Sequence, residues 1–150
     1  FPKVHFIHGM LSEDEMASLY RHPTIKALVA ATRGEGFGLP ILEAAVSGLP
    51  VISTGWSGHT EFLSKGKSIY IDYDLIEVPK QRVDGKIFVA GSRWARPTEV
   101  DFKKKLKKFR NSVATPREWA RDLSVTLKES HSQKAIEKLY DDLFEGVFKR

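Results

Sequence analysis

The chain has 150 residues, of which 41% are apolar and 11% aromatic, a size that supports one hydrophobic core rather than two complete domains. Charged residues make up 29%, the net charge is +5, and no apolar run approaches the roughly 20 residues that cross a bilayer, which favours a soluble globular protein. The absence of cysteine excludes disulfides and cysteine-ligated zinc, and without an apolar signal core near Phe1 we expect a cytoplasmic protein.

The first half of the sequence alternates strand-like and helix-like segments. Buried strands are expected at residues 4–9, 25–32, 49–54 and 68–73, with helices in the intervals, the second near residues 40–47 and the third at residues 57–63. Ser12 and Glu15 have the capping-box spacing for the first helix, and Pro40 and Gly48 suit the start and end of the second. This order predicts an α/β fold with a mostly parallel sheet covered by helices.

The second half predicts an irregular segment followed by three helices. Prolines and glycines interrupt residues 74–95, whose one short apolar run lies at residues 86–90. A helix is expected from about Thr98, and another with Thr115 as its N-cap. The last helix carries an apolar stripe at helical spacing, formed by Ile136, Leu139, Tyr140, Leu143, Phe144, Val147 and Phe148.

Residues 32–45, with the sequence TRGEGFGLPILEAA, carry the most chemical information. Three glycines at alternate positions permit a tight turn and close approach of a ligand, and the following helix directs its unpaired N–H groups at the loop. Such a helix N-terminus binds anions, phosphate above all. Glu35 and Glu43 flank it, and carboxylates accept hydrogen bonds from hydroxyl groups. The pattern predicts a ligand with phosphate at its centre and hydroxyl-rich groups at both ends, such as a nucleotide sugar.

This stretch resembles the family-4-like retaining glycosyltransferases. Their C-terminal Rossmann-like domain has an E-x7-E signature in a segment of the form EGFGLPxLEA, and then a small residue followed by G-x-P-V-I. The chain reads EGFGLPILEA at residues 35–44 and GLPVI at residues 48–52. Its GWSGH at residues 55–59, followed by EFL at residues 61–63, is similar to the family's turn before the next helix. The resemblance covers about residues 4–73.

The resemblance implies a GT-B enzyme that moves a sugar from a nucleoside diphosphate to an acceptor hydroxyl with retention at the anomeric carbon, without a cofactor or metal. The acceptor would be a glycan, a lipid-linked molecule or a protein. The whole chain, residues 1–150, would be one partial Rossmann-like domain of the C-terminal half, with the donor site in about residues 1–75 and terminal helices in residues 96–150. The enzyme would act in the biosynthesis of polysaccharides or glycoconjugates.

Residue roles also follow from the resemblance. Glu35 is expected to position the donor sugar by hydrogen bonds to its hydroxyls, and Glu43 to bind the ribose. The sugar and diphosphate would be approached by the backbone N–H groups of Gly36, Phe37, Gly38 and Leu39. The base would lie against the turn formed by Gly9, Met10 and Leu11.

Two further residues are candidates for the site. Arg33 in the loop has the charge to contact a phosphate, although a solvated arginine is the more common situation at such a position. His59, beside Gly58 at a helix start, lies near the expected crevice, and a structural, hydrogen-bonded histidine explains it equally well. The five histidines show no metal-ligand spacing, so no metal site is expected.

The chain also departs from the family pattern. The family's basic pair that neutralises the diphosphate lies upstream of a segment like residues 4–9, and neither it nor an acceptor-binding domain is recognisable in the chain. We therefore expect a piece of a longer protein that is inactive alone and that self-associates or needs a partner. A non-catalytic nucleotide- or partner-binding module, or one subunit of a split transferase, is the alternative. A glycoside hydrolase also pairs two carboxylates, but it would leave the glycine loop without a purpose.

The positive charge is concentrated in one short segment, which contains Lys103, Lys104, Lys105, Lys107, Lys108 and Arg110. These residues alternate with apolar ones, as expected for the solvated face of a helix. An anionic membrane surface or a lipid-phosphate acceptor is the alternative partner. Nucleic acid is not expected, because no recognised binding motif accompanies the charge.

Overall fold

The computed structural model describes residues 3–148. In chain order the elements are α1 Glu13–Arg21, β1 Leu28–Ala30, α2 Leu39–Val46, β2 Val51–Thr54, α3 His59–Leu63, β3 Ile69–Ile71, β4 Tyr73–Glu77, a 3₁₀ turn Lys80–Arg82, β5 Arg93–Pro97, α4 Glu99–Asn111, α5 Ala114–Ser130 and α6 Gln133–Phe148. Helices alternate with strands through the first half of the chain, as the sequence predicts.

A three-stranded parallel sheet with the order β1-β2-β3 forms the centre of the molecule. Ile52 in the middle strand pairs with Val29 on one side and Ile69 on the other. All four residues of β2 are buried, because helices cover both faces of a parallel sheet. The predicted α/β class with a mostly parallel sheet and flanking helices is confirmed.

Two apolar clusters lie on the two faces of this sheet. The larger joins α2, α3 and α5 to the sheet through side chains that include Ile41, Phe62 and Leu127. The smaller packs Phe109 of α4 against Ile52 and Ile71. The predicted helices are therefore the layers that bury the strands, and they hold the ends of the strands and the loops after them in fixed positions.

The predicted strand at residues 4–9 is wrong. These residues have no regular structure, and Val4, Phe6 and Ile7 are exposed, Phe6 at 92% of its surface. A strand needs a neighbouring strand to pair its N–H and C=O groups, and within residues 3–148 no strand lies beside this segment. Its apolar composition alone cannot form a ladder.

The prediction that residues 74–95 are irregular is also wrong at both ends of the segment. β4 and β5 form an antiparallel ladder in which Tyr73 faces Pro97 and Glu77 faces Arg93. The apolar run at residues 86–90 forms no strand, because Asp84 Oδ1 accepts hydrogen bonds from the N–H groups of the first three residues, 86–88, and curls the backbone. The segment is a hairpin with a long irregular tip.

The helix starts are mostly as predicted. Ser12 and Glu15 form both hydrogen bonds of the capping box of α1. Thr98 is the N-cap of α4, although its side chain makes no capping hydrogen bond. Thr115 is not a cap, since Val113 is the N-cap of α5 and already has helical φ and ψ of −87° and −23°, which places Thr115 inside the first turn.

Candidate functional site

The glycine loop leaves β1 and enters α2 through Gly38. Gly38 is the N-cap of α2 with φ of 87°, a left-handed conformation that favours glycine. A Cβ at this position would lie 3.0 Å from the Cβ of His59, so a side chain would be crowded as well as strained. The sequence therefore requires glycine here for the loop to turn into the helix.

The loop presents a row of backbone donors at the start of α2. Within residues 3–148, no group accepts a hydrogen bond from the N–H of Gly36, Phe37, Gly38 or Leu39. The next residue, Pro40, has no N–H, and the ladder of the helix begins where Ile41 donates to the Gly38 carbonyl at 2.9 Å. Free donors at the positive end of a helix dipole form an anion-binding arrangement. The four residues predicted for the sugar and diphosphate thus lie together with open N–H groups.

The turn before α3 fixes the position of Glu35. The Ser57 hydroxyl accepts from the Glu35 N–H at 2.6 Å and donates to the Glu35 carbonyl at 3.0 Å, and Gly58 N–H donates to the same carbonyl at 3.1 Å. A Cβ on Gly58 would lie 1.9 Å from the Gly36 carbonyl oxygen. Sequence reasoning noted this turn but gave Ser57 and Gly58 no role. The small residues in GWSGH were the available signal.

His59 lies behind the loop rather than in a crevice. Its side chain is fully buried, and Nε2 lies 2.7 Å from the carbonyl oxygen of Thr54, to which it donates. Nδ1 has no hydrogen-bond partner among the residues that the structure describes. With its Cβ close to Gly38, His59 has the position of a structural support for the loop.

Glu43 lines a cavity of about 490 Å³ between α1 and α2. The Tyr20 hydroxyl donates to Glu43 Oε2 at 3.4 Å, and burial together with the adjacent Glu43 charge raises the pKa of Tyr20. Leu11 lines the same cavity, so one of the three residues predicted for the base meets the residue predicted for the ribose. Gly9 and Met10 do not line it, and Met10 is fully exposed. Glu35 does not line it either.

Arg33 contacts the hairpin through both its side chain and its backbone. Its guanidinium carbon lies 4.5 Å from the centre of the Trp94 ring, a cation–π contact, and its backbone carbonyl accepts from Ala95 N–H at 2.9 Å. Trp94 received no role from the sequence. The pairing of β4 with β5, which the sequence did not predict, is what brings Trp94 to Arg33.

Two apolar side chains of the loop remain exposed. Phe37 is 42% exposed while one side of its ring packs on Phe62, with ring centres 5.3 Å apart. Leu39 is 60% exposed. The loop thus offers apolar contact surface beside its open N–H groups.

The basic residues of α4 form a mostly solvated helix face, as predicted from their alternation with apolar residues. Lys103 pairs with Glu99 at 2.5 Å, and Lys105 pairs with Asp101 at 2.8 Å and with Asp72 at 3.0 Å. The remaining lysines and Arg110 are exposed. Within residues 3–148, no group of three histidine or acidic side chains is placed to hold a metal ion. In the same part of the chain, the helices are too short or too polar to span a bilayer.

Residues 2–81 match the family model described as glycosyl transferases group 1, and this match covers more than half of the chain. The chain belongs to the group 1 glycosyl transferases. The matched residues include the glycine loop, both flanking carboxylates and the GWSGH turn. The helices α4, α5 and α6 lie outside the matched range.

Similar proteins include a sucrose synthase and a mannosyltransferase. A sucrose synthase of Melioribacter roseus is 29% identical over 122 residues, which make up 71% of this chain and 14% of that protein. A serotype-specific mannosyltransferase WbdA of Escherichia coli is 50% identical over 42 residues, which make up 28% of this chain and 5% of that protein. The group 1 glycosyl transferase chain thus spans a small part of the length of these relatives.

Proposed function

We propose that the chain carries the nucleotide-sugar donor site of a retaining GT-B glycosyltransferase. The observation that supports this most strongly is the set of four open N–H groups at the start of α2, with the Glu35 backbone beside them fixed by Ser57. A nucleoside diphosphate provides the anion that such a helix start binds. In this proposal, residues 1–150 form part of one donor-binding domain, with the site in the first half of the chain.

The two carboxylates would bind different parts of the donor. Glu35, at the edge of the row of N–H groups, would accept hydrogen bonds from the sugar hydroxyls and orient the anomeric carbon. Glu43, in the cavity with Tyr20 and Leu11, would accept from the ribose hydroxyls, and the apolar wall of that cavity would contact the base. Glu35 lies outside the cavity that Glu43 lines, which fits a ligand that extends across the start of α2.

Catalysis would rest on orientation and on charge stabilisation. When the sugar leaves its carrier, negative charge develops on the diphosphate, and the open N–H groups of residues 36–39 would stabilise it. These donors are already fixed in the loop by Ser57 and Gly58, so little reorganisation is needed during the reaction. The sugar would pass to an acceptor hydroxyl with retention at the anomeric carbon.

The acceptor surface and the cations for the diphosphate would come from outside these 150 residues. Arg33 lies over Trp94, and in this proposal it does not supply that charge. A further segment, a partner or a second copy would complete the active site, and the chain alone would show little sugar transfer. The exposed basic face of α4 would suit an anionic membrane surface near a lipid-linked acceptor, placing the protein in the cytoplasm at a membrane.

Calorimetric titration tests the proposal. The chain would be titrated with uridine, guanosine and adenosine diphosphates and with the matching monophosphates. We expect one of the diphosphates to bind at one site and its monophosphate to bind more weakly, because it brings one phosphate fewer to the N–H groups. Equal affinity for a diphosphate and its monophosphate, or no binding of any of them, would overturn the proposed donor site.

A further inference from the structure

A second cavity, separate from the start of α2, lies between the glycine loop and the hairpin. Its volume is about 500 Å³, within the range of small-molecule sites. It is lined by Arg33, Pro79, Gln81, Arg82, Phe88 and Trp94. Two of these residues are cationic, two are aromatic and none is acidic. The cavity therefore combines positive charge with apolar rings and an amide.

Both arginines of this cavity lack an anionic partner in the part of the chain that the structure describes. Within residues 3–148, neither Arg33 nor Arg82 donates a side-chain hydrogen bond or forms an ion pair. The other two arginines of the hairpin are both engaged, because Arg93 donates to the Leu75 carbonyl at 3.0 Å and Arg96 pairs with Asp74 at 3.1 Å. Among residues 3–148, Arg82 is thus the arginine of the hairpin without such a partner, and it lines the cavity together with Arg33.

The hairpin holds one of these cations in a fixed place. The Arg33 guanidinium lies over the Trp94 ring, and Phe88 makes a T-shaped contact with the same ring, with ring centres 5.5 Å apart at 79°. Stacking on an aromatic ring leaves the in-plane N–H groups of a guanidinium available. Asp84 fixes the backbone around Phe88 through its three hydrogen bonds to residues 86–88. The wall of the cavity is preorganised although its charge is unpaired.

These features select a phosphate carried by a sugar. Guanidinium groups bind phosphate oxygens through paired, charge-assisted hydrogen bonds, and two unpaired arginines in one cavity provide two such groups. The volume exceeds what a bare phosphate needs, and Gln81 and the aromatic rings add hydrogen-bonding and apolar surface of the kind that a sugar ring contacts. Of the residues predicted to bind the donor, only the candidate Arg33 is among those that line this cavity.

We propose that the cavity between the glycine loop and the hairpin is a second binding site, which takes the phosphate group of a phosphorylated sugar. Arg33 stands two residues before Glu35 in the chain, so a ligand bound here lies beside the glycine loop. This second binding site does not depend on the proposed donor site at the start of α2.

The experiment compares binding of glucose 6-phosphate, glucose and inorganic phosphate to the chain by calorimetry, with Arg82→Gln and Arg33→Gln as the variants. Arg82 is exposed, so its replacement should leave the fold intact. Arg121→Gln is the matched control, because Arg121 is an exposed arginine of α5, away from the cavity. We expect glucose 6-phosphate to bind more tightly than either other probe. Arg82→Gln should weaken it by about tenfold, as expected for loss of a charge-assisted hydrogen bond, and Arg121→Gln should not change it.

A repeat of the titration with saturating nucleoside diphosphate identifies the site. Unchanged affinity for glucose 6-phosphate supports a separate cavity, whereas displacement would assign that binding to the start of α2 and overturn the inference. Equal affinities of Arg82→Gln and Arg121→Gln would also overturn it, and equal binding of inorganic phosphate would overturn the choice of a sugar phosphate. Failure of the nucleoside diphosphates to bind, with the effect of Arg82→Gln retained, would reject the proposed donor site and leave this second site standing.

Discussion

The Ser57 hydroxyl bonds both polar backbone groups of Glu35, accepting from its N–H at 2.6 Å and donating to its carbonyl at 3.0 Å. Ser57 has φ of 84°, an uncommon conformation for a residue with a side chain. Backbone strain of this kind persists where the surroundings hold it, and it often marks a functional position. The turn before α3 therefore determines where the loop before α2 can place its carboxylate.

Replacement of Ser57 tests this link. Ser57→Ala removes both hydrogen bonds from partly buried backbone groups, and we expect the free energy of unfolding to fall by about 1–3 kcal/mol. Urea unfolding measures it. The control is Ser64→Ala, which removes one exposed hydrogen bond to the Glu61 carbonyl and should have a much smaller effect. Equal losses in the two variants would mean that Ser57 does not hold the loop.

Two glycines of the site should respond in opposite ways to alanine. A Cβ on Gly58 would meet the Gly36 carbonyl oxygen at 1.9 Å, so Gly58→Ala must displace backbone, and we expect a loss of at least about 1–3 kcal/mol of stability. A Cβ on Gly36 would meet nothing within 4 Å, so Gly36→Ala should keep or slightly raise stability.

The affinity for a nucleoside diphosphate provides a second test of the glycine loop. The new methyl group of Gly36→Ala would stand beside the open N–H groups, so we expect this stable variant to bind the diphosphate more weakly. Thermal unfolding and calorimetry on the same samples measure both properties. A stable Gly36→Ala variant with unchanged affinity would show that the ligand does not approach the backbone at this point.

Local signals in the sequence predicted the elements around the site. The capping box of Ser12 and Glu15, and Pro40 in the first turn of α2, depend on neighbours within a few residues, so the sequence shows them directly. The buried strand β2 was equally evident from Val51, Ile52 and Thr54, which are β-branched, and from the turn signals around it. The helix starts depend on hydrogen bonds between residues close in sequence, and the strand depends on the burial of both of its faces.

The features that the sequence did not predict depend on distant partners. The hairpin pairs Tyr73 with Pro97, and Ser57 bonds a residue 22 positions earlier, so neither pattern is visible within a short window. Residues 4–9 illustrate the reverse case, because their composition favours a strand but no neighbouring strand lies beside them within residues 3–148. Composition reports the tendency of a segment, whereas pairing depends on what the fold brings next to it.

Asp101 should make stability depend on pH. The hydrogen bond from Asp72 N–H, together with the bond and charge of Lys105, holds the pKa of the Asp101 carboxyl below its usual value. A depressed folded-state pKa stabilises the protein above the unfolded value of about 3.9, and this contribution is lost as pH falls through the folded-state pKa. Asp101→Asn should therefore lower the unfolding temperature at pH 7, and the difference from the original chain should shrink below about pH 4.

Thermal unfolding across this pH range provides the measurement. Asp122→Asn is the control, because within residues 3–148 the Asp122 side chain makes no hydrogen bond or ion pair. It should leave the unfolding temperature nearly unchanged at every pH. A constant difference between Asp101→Asn and the original chain down to the most acidic conditions would contradict the assigned role of the carboxylate.

The apolar stripe of α6 should drive association. Leu139, Leu143 and Val147 are each more than half exposed, and contiguous apolar surface of this kind favours contact with another surface. We expect the isolated chain to self-associate in sedimentation velocity, and the double variant Leu139→Glu with Leu143→Glu to shift it toward monomer. Lys138→Glu makes the same change in net charge without removing an apolar side chain, so it is the control. A monomeric original chain would contradict the prediction.

The most direct test of the donor site compares Glu35→Ala with Glu43→Ala. The dissociation constants of a nucleoside diphosphate and of its sugar would be measured by calorimetry for both variants and for the original chain. We predict that Glu43→Ala weakens both ligands by about 1–3 kcal/mol through loss of the ribose contact, while Glu35→Ala weakens the nucleotide sugar and leaves the free diphosphate nearly unchanged. Equal weakening of the free diphosphate by the two variants would contradict the proposed placement of the sugar at Glu35 and the ribose at Glu43.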